Sequence, residues 1–114
     1  MSCYNSTVPS SPPQNVMVTS VIPASLNVSW RIPTLIDHNG LITSYVINYT
    51  RDGSSDMMSV NVNSETTHTI LELVAYVDYS VTVAAVNVNG TGPFSSPPQV
   101  ERSGEDGELN YLHI

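Results

Sequence analysis

The sequence predicts an all-β protein, a seven-stranded antiparallel β-sandwich with no internal disulfide. Short segments alternate apolar and polar residues, and turn residues separate them at regular spacing. No window longer than about ten residues follows the helical period. A single open sheet would leave one apolar face of its strands in water, at a cost of ~25 cal/mol per Å². Two facing sheets bury that face of every strand.

The first two predicted strands follow a stretch without periodicity. Residues 1–13 hold three prolines and four serines, which is typical of a linker. Val16 and Val18 then alternate with polar neighbours in NVMVTS. The next segment, SLNVSW, places three apolar residues on one face: Leu26, Val28 and Trp30.

The third and fourth strands form a predicted hairpin. A proline-containing loop, RIPTLIDHNG, leads into ITSYVINYT. There one face carries Tyr45, Ile47 and Tyr49, opposite Val46 and Asn48. Asp52-Gly53 is a hairpin signal, and the segment after it, MMSVNVN, alternates again through Met58, Val60 and Val62.

Three further strands complete the predicted set. HTILEL is short, and YSVTVAAVN carries Tyr79, Val81, Val83, Ala85 and Asn87 on one side. The last strand is PPQVER, whose prolines fit only a strand start or an edge. The glycines of NGTGPFS are expected to turn the chain into this seventh strand.

From Pro9 to Ser103 the chain resembles a fibronectin type III domain, an immunoglobulin-like sandwich. The resemblance rests on a proline-rich start, PSSPPQNVMV, on Trp30, and on the block D-x-NG-x-I-x-x-Y-x-I-x-Y that begins at Asp37. Further along come Leu73, six residues before Tyr79, and an A-x-N that is followed by GTGPFS. The expected division is a linker at 1–8, the domain at 9–103 and an acidic tail at 104–114.

The resemblance assigns structural roles to particular side chains. Immunoglobulin domains link their two sheets by a disulfide that packs against a core tryptophan. Cys3 is the sole cysteine of this chain, so Trp30 is expected to fill that part of the core without a disulfide. Tyr79 is expected to form a tyrosine corner, in which its hydroxyl bonds to upstream backbone. The family often has proline and threonine between the leucine and this tyrosine, and LVAYVDY departs from that pattern. The full set of expected structural residues is Trp30, Tyr45, Tyr49, Leu73, Tyr79 and Asn87.

Charge and hydropathy exclude several classes of function. Three arginines, no lysine and ten acids give a net charge of -7, which disfavours nucleic acids and anionic membranes as partners. No apolar run approaches the ~20 residues of a membrane span. The start, MSCYNSTVPS, does not have the pattern of a signal peptide, so an extracellular chain of this kind would be an ectodomain fragment of a longer membrane or secreted protein.

The sequence holds no pattern that indicates catalysis or a cofactor. The histidines, His38, His68 and His113, are not at metal-ligand spacing, and His68 falls on an inward strand face as a core residue. The loop at 37–40 lacks the acids of a calcium site. Gly90-Thr91-Gly92 opens no helix that could bind phosphate. We therefore expect a protein that is not an enzyme and needs no cofactor or metal.

Four N-x-[ST] sequons are candidate glycosylation sites: Asn5, Asn27, Asn48 and Asn89. Their number is only a mild excess over chance, but Asn27 and Asn48 fall on outward strand positions and Asn89 lies at a loop tip. A glycan can therefore be attached without entering the predicted core. A glycan at Asn89 would compete with a protein contact made by the same loop through Thr91.

A second candidate surface is apolar. Val46, Ala84 and Val86 are expected to point outward on adjacent strands, with Met57 nearby, and could contact a protein partner. The alternative is that valine simply suits a strand. The nearby Arg51-Asp52-Gly53 has the wrong order for the integrin-binding Arg-Gly-Asp motif that some fibronectin domains carry.

The resemblance implies a non-catalytic extracellular module for protein interaction and spacing, of the kind found in tandem arrays of adhesion molecules and receptor-type phosphatases. Its expected partners are other proteins or neighbouring domains of the same chain, and the isolated domain is expected to be monomeric. Two alternatives stay open: an accessory module of a secreted carbohydrate-active enzyme, and an intracellular structural repeat of the muscle-scaffold kind. Cys3 is either free or paired to an upstream domain.

Overall fold

The computed structural model describes residues 7–20, 22, 24–34 and 39–103. Within these residues the chain forms two antiparallel sheets and no helix. Its strands are β1 (Gln14–Thr19), β2 (Leu26–Arg31), β3 (Ser44–Arg51), β4 (Met57–Val62), β5 (Thr67–Ile70), β6 (Asp78–Asn87), β7 (Gly90–Phe94) and β8 (Gln99–Arg102).

The two sheets contain three and five strands. The smaller sheet has the order β1-β2-β5. In the larger sheet the order is β4-β3-β6, and β6 pairs on its far side with both β7 and β8. The sheets face each other, and the alternating inward residues of each strand meet between them, as the sequence predicts.

The structure has eight strands where the sequence predicts seven, because residues 90–94, which are predicted to turn the chain, form β7. β7 pairs with the end of β6, and β8, within the predicted last strand, pairs with its beginning. Pro97 and Pro98 interrupt the ladder between them, since proline has no N–H to donate. Ser95 keeps the junction bonded: its N–H donates to Val83 O at 2.9 Å, and its Oγ accepts from Val83 N at 3.0 Å.

The core lies between the sheets and is centred on Trp30 and Tyr45. Their rings meet edge to face, with centroids 5.2 Å apart, a favoured aromatic geometry. Burial raises the pKa of the Tyr45 phenol, because the charged form would lose its hydration. The core is completed by Leu26, Val28, Ile47, Val62, Ile70, Tyr79, Val81, Val83 and Ala85.

Candidate interaction surface

The beginning of β6 is fixed by a tyrosine corner. The Tyr79 hydroxyl accepts a hydrogen bond from Val74 N at 3.0 Å, which is the bond expected of such a corner. The N–H of Leu73, a half-buried residue, donates to Ala24 O at 2.9 Å, in the β1–β2 connection of the smaller sheet. The connection therefore joins both sheets, although it lacks the proline and threonine that the family often has there.

The atypical turn before Tyr79 uses backbone conformations that are uncommon for residues other than glycine. Glu72 has a φ of 60° and Tyr76 a φ of 63°, both in the left-handed region. Hydrogen bonds to Ser103 hold the turn: Tyr76 N donates to Ser103 O at 3.1 Å, and Ser103 N donates to Val77 O at 2.9 Å. The Ser103 hydroxyl also donates to Val74 O.

At the far end of β6, Asn87 is the centre of a buried hydrogen-bond cluster. Its side chain is 3% exposed. Nδ2 donates to Asn39 O at 2.9 Å and to Thr7 O at 3.0 Å, while Oδ1 accepts from Asn89 N at 2.8 Å. Sequence reasoning found Asn87 as an inward residue but not these partners, which lie up to 80 residues away.

The same cluster holds the N-terminal segment, defined here as residues 7–9, against β7. The side-chain amide of Asn39 donates to Val8 O at 2.9 Å. A Cβ on Gly92 would lie 2.6 Å from Pro9 O, so only glycine permits this approach. The sequence assigns 7 and 8 to a linker, whereas in the structure both bond to the domain. The boundaries at 8/9 and 103/104 remain a prediction.

Three of the four sequon asparagines lie among the described residues, and Asn5 lies outside them. Asn27 and Asn48 occupy outward positions, and each accepts a hydrogen bond at Oδ1, from Thr69 and Ser59 respectively. These bonds use the oxygen, not the amide nitrogen that a glycan would modify. Asn89 is exposed in the turn between β6 and β7, and its Nδ2 donates to Thr7 O at 3.2 Å.

The predicted apolar patch is smaller than the sequence suggests. Ala84 is 0% exposed, so the prediction that it offers contact surface is wrong. It lies across from Val46 on one neighbouring strand and from Phe94 on the other, and these larger side chains flank its single methyl group. Val46 and Val86 are half-buried. Thr91, which pairs with Val86, is exposed.

Met57 does not extend this patch. It pairs with Thr50, four residues along β3 from Val46, and four residues of strand span ~13 Å. The exposed apolar side chains of β4 therefore belong to a different part of the surface.

An open cavity lies beside the first residues of β4. It has a volume of about 240 Å³ and lies between the β3–β4 turn and the β5–β6 connection. Met58 and Leu71 line it and are 54% and 59% exposed, although Met58 has the inward phase of its strand. The rim carries Arg51, Asp56 and Glu72. This is an apolar recess with charged edges at the end of the sandwich.

The described residues contain little that could support chemistry. No group of three or more His, Cys, Asp or Glu side chains among them is placed to hold a metal ion. His68 is half-buried opposite Val28, while Cys3, His38 and His113 lie outside the described residues. Arg102 Nε lies 3.4 Å from Asp78 Oδ1 in an exposed ion pair. Such a pair contributes little to the free energy of folding, because water screens its charges. No helix capable of crossing a membrane occurs in the part of the chain described here.

Curated relatives of the chain are much longer proteins, and the chain matches a small part of each. It is 38% identical over 88 residues to receptor-type tyrosine-protein phosphatase F of Mus musculus and 43% identical over 94 residues to netrin receptor DCC of Homo sapiens. Protein sidekick-2 of Mus musculus is 34% identical over 93 residues. These alignments cover 77–80% of this chain but only 4–6% of the relatives. Similarity to so small a part of a phosphatase is not a sign of phosphatase activity.

Solved structures give the same fold. The third fibronectin III domain of human KIAA0343 protein superposes with a TM-score of 0.79 at 25% identity, covering 92% of each chain. The FN5 domain of Drosophila Lar gives a TM-score of 0.69 at 27% identity, covering 86% of this chain and 99% of that one. The model of the fibronectin type III domain family matches residues 11–101 of this chain. The chain therefore belongs to the fibronectin type III domain family.

Proposed function

We propose that this chain is a non-catalytic, extracellular module for protein interaction and spacing within an adhesion molecule or receptor. The observation that carries the proposal is the set of relatives: the matching segments belong to a receptor-type phosphatase, a netrin receptor and a sidekick protein. In each of them the segment is a small part of a much longer chain. The module would present surfaces to other proteins and set the spacing of its neighbours.

The sequons support the extracellular part of the proposal. Asn27, Asn48 and Asn89 all carry their side chains outside the core, so glycans at these positions are compatible with the folded sandwich. Contacts with partners would then use strand edges and loops that glycans leave open.

A second candidate is an intracellular structural repeat, favoured by one specific similarity. Domains A168–A170 of titin superpose with a TM-score of 0.74 at 28% identity, and the match covers 85% of this chain and 33% of that one. No comparable observation favours an accessory module of a carbohydrate-active enzyme. The two remaining candidates differ in compartment and therefore in glycosylation.

Expression behind a secretory leader, followed by treatment with an N-glycosidase, tests the compartment. We expect a mass decrease on deglycosylation, and its stepwise loss in the variants Asn27→Gln, Asn48→Gln and Asn89→Gln. Failure of the chain to leave the secretory pathway as folded protein would contradict the extracellular proposal. Secretion with no mass change would remove its support from the sequons and favour the structural repeat.

The interaction role is tested by presenting the deglycosylated and glycosylated chain to an array of receptor ectodomains. We expect saturable binding to at least one ectodomain and none to an unrelated sandwich of similar charge. If neither form binds to the array above the unrelated control, the interaction role is contradicted. The spacing of neighbouring domains would then be the remaining role.

A further inference from the structure

The outer edge of β4 can pair with a further strand. Among the described strands, β4 pairs with β3 alone and forms one edge of the five-stranded sheet. Its six residues stay in register with β3 without a bulge. In an antiparallel edge strand, alternate residues turn their N–H and C=O groups away from the sheet. These groups are available to a further strand.

Proteins commonly block such edges with charge, proline, bulges or shortness, and the other described edges have these features. Pro93, Pro97 and Pro98 fall within or between β7 and β8. In β1 the register shifts between Gln14 and Met17. β5 has only four residues. By contrast β4, with the sequence MMSVNV, contains no charge and no proline.

The cavity at the start of β4 could receive side chains of a strand that pairs with this edge. A strand paired with β4 would direct alternate side chains toward the interior side of the sheet. On that side lie the exposed apolar groups of Met58, Leu71 and Val74. An apolar side chain entering the cavity would remove both itself and these groups from water. Backbone pairing and apolar burial would thus act on the same ligand.

Charge indicates what kind of strand fits. Two acids, Asp56 and Glu72, line the rim of the cavity against one base, Arg51, and the whole chain carries a net charge of -7 with no lysine. A second copy of the chain would bring the same negative charge to the interface and be repelled. A basic segment would be attracted.

We propose that the β4 edge and its adjoining cavity bind an extended segment of a partner protein, with alternating apolar residues and flanking basic residues. The segment would add a sixth strand to the larger sheet, a known mode of peptide recognition. The proposal rests on the proposed role in protein interaction and specifies where and how that interaction is made.

A defined peptide tests this on the purified chain without any natural partner. The probe is a capped seven-residue peptide of alternating valine and threonine that ends in two arginines. Two isomers of it carry three N-methyl groups each, on opposite alternating sets of backbone amides. One set would face β4 and the other would face solvent, so the isomers have the same composition but differ in their ability to pair. Binding is followed by NMR through the backbone amides.

We expect the unmodified peptide to shift and protect amides of β4 and of the cavity lining. One N-methylated isomer should bind at least about tenfold more weakly, and the other within about twofold of the parent. Replacing the arginines by glutamates should also weaken binding. Leu71→Ser should weaken it, whereas Val100→Ser should not, since both residues are 59% exposed but Val100 lies on β8.

Equal binding of the two isomers, or shifts located away from β4, would overturn the proposal. No detectable binding of the parent peptide at millimolar concentration would do the same. These results are distinguishable from failure of the proposed function, which depends on glycan occupancy and on ectodomain binding. An ectodomain that binds the Leu71→Ser variant as well as the parent chain would preserve the function and reject this site.

Discussion

The two ends of the sandwich are completed by different means, although the same strand, β6, runs to both. At its last residue, the buried side-chain amide of Asn87 bonds to backbone groups of Thr7, Asn39 and Asn89. At its second residue, Tyr79, one phenol bonds to one backbone N–H beside an open apolar cavity. The first end is closed and polar inside, whereas the second is open and apolar.

We infer from this difference that the closed end holds the N-terminal segment and that the open end is suited to binding a ligand. The side-chain amides of Asn87 and Asn39 donate to the backbone carbonyls of Thr7 and Val8 and thereby hold the N-terminal segment. The open end leaves Met58 and Leu71 in contact with water, which favours exchange of that water for a ligand. Variants at each end should therefore have different consequences.

Asn87→Ala should cause the largest loss. It removes this partner from the carbonyls of Asn39 and Thr7 and from the N–H of Asn89, three bonds in a partly buried site, at a cost of about 3 kcal/mol. Urea unfolding measures the loss, and cleavage within the N-terminal segment by a protease should become faster. The exposed control Asn61→Ala should change neither. Unchanged proteolysis in a destabilised Asn87→Ala chain would show that the cluster does not hold the N-terminal segment.

Tyr79→Phe tests the open end. Removal of the hydroxyl leaves Val74 N without its side-chain acceptor, and we expect a loss of about 2 kcal/mol. Tyr76→Phe, in the same connection but on an exposed side chain, should have little effect. An unchanged denaturation midpoint for Tyr79→Phe would mean that the corner bond adds no net stability. Proteolysis of the N-terminal segment should stay at the parent rate.

Gly92→Ala disturbs the closed end without removing a hydrogen bond. Its Cβ would lie 2.6 Å from Pro9 O and 2.9 Å from Pro9 Cβ, so the N-terminal segment must move. We expect a loss of about 1 kcal/mol, within the range for overpacking, and faster amide exchange at Ser10. The neighbouring exposed change Thr91→Ala is the control. Amide exchange at the parent rate would indicate that β7, not the segment, gives way.

The sequence predicts the strand faces well because the period of two is a local property. Apart from Ala84, the buried positions of β2, β3 and β6 follow from alternation alone, and so does the core role of Trp30. What alternation cannot show is the size of cross-strand neighbours. Ala84 has the phase of an outward residue, yet the pairing of Val46 and Phe94 on either side leaves its small side chain wholly buried.

The candidate surfaces are less predictable for a related reason. The bonds of Asn87 to Thr7 and Asn39 join residues 80 and 48 positions apart, and no local pattern specifies them. The β4 edge is visible in the sequence as MMSVNV without charge or proline. Its significance depends on the topology, however, because only the strand order places β4 at an edge and the cavity beside it.

Leu71→Ser should have the smallest effect on stability. It tests whether the cavity at the second end of the sandwich is open. An exposed leucine that lines an open cavity contributes little to the core, so we expect the free energy of unfolding to change by no more than about 0.5 kcal/mol. Val100→Ser, equally exposed on β8, is the matched control. A loss of more than about 1 kcal/mol for Leu71→Ser alone would mean that Leu71 packs as a core residue in solution. The open end would then be closed, and the cavity would not admit a ligand side chain.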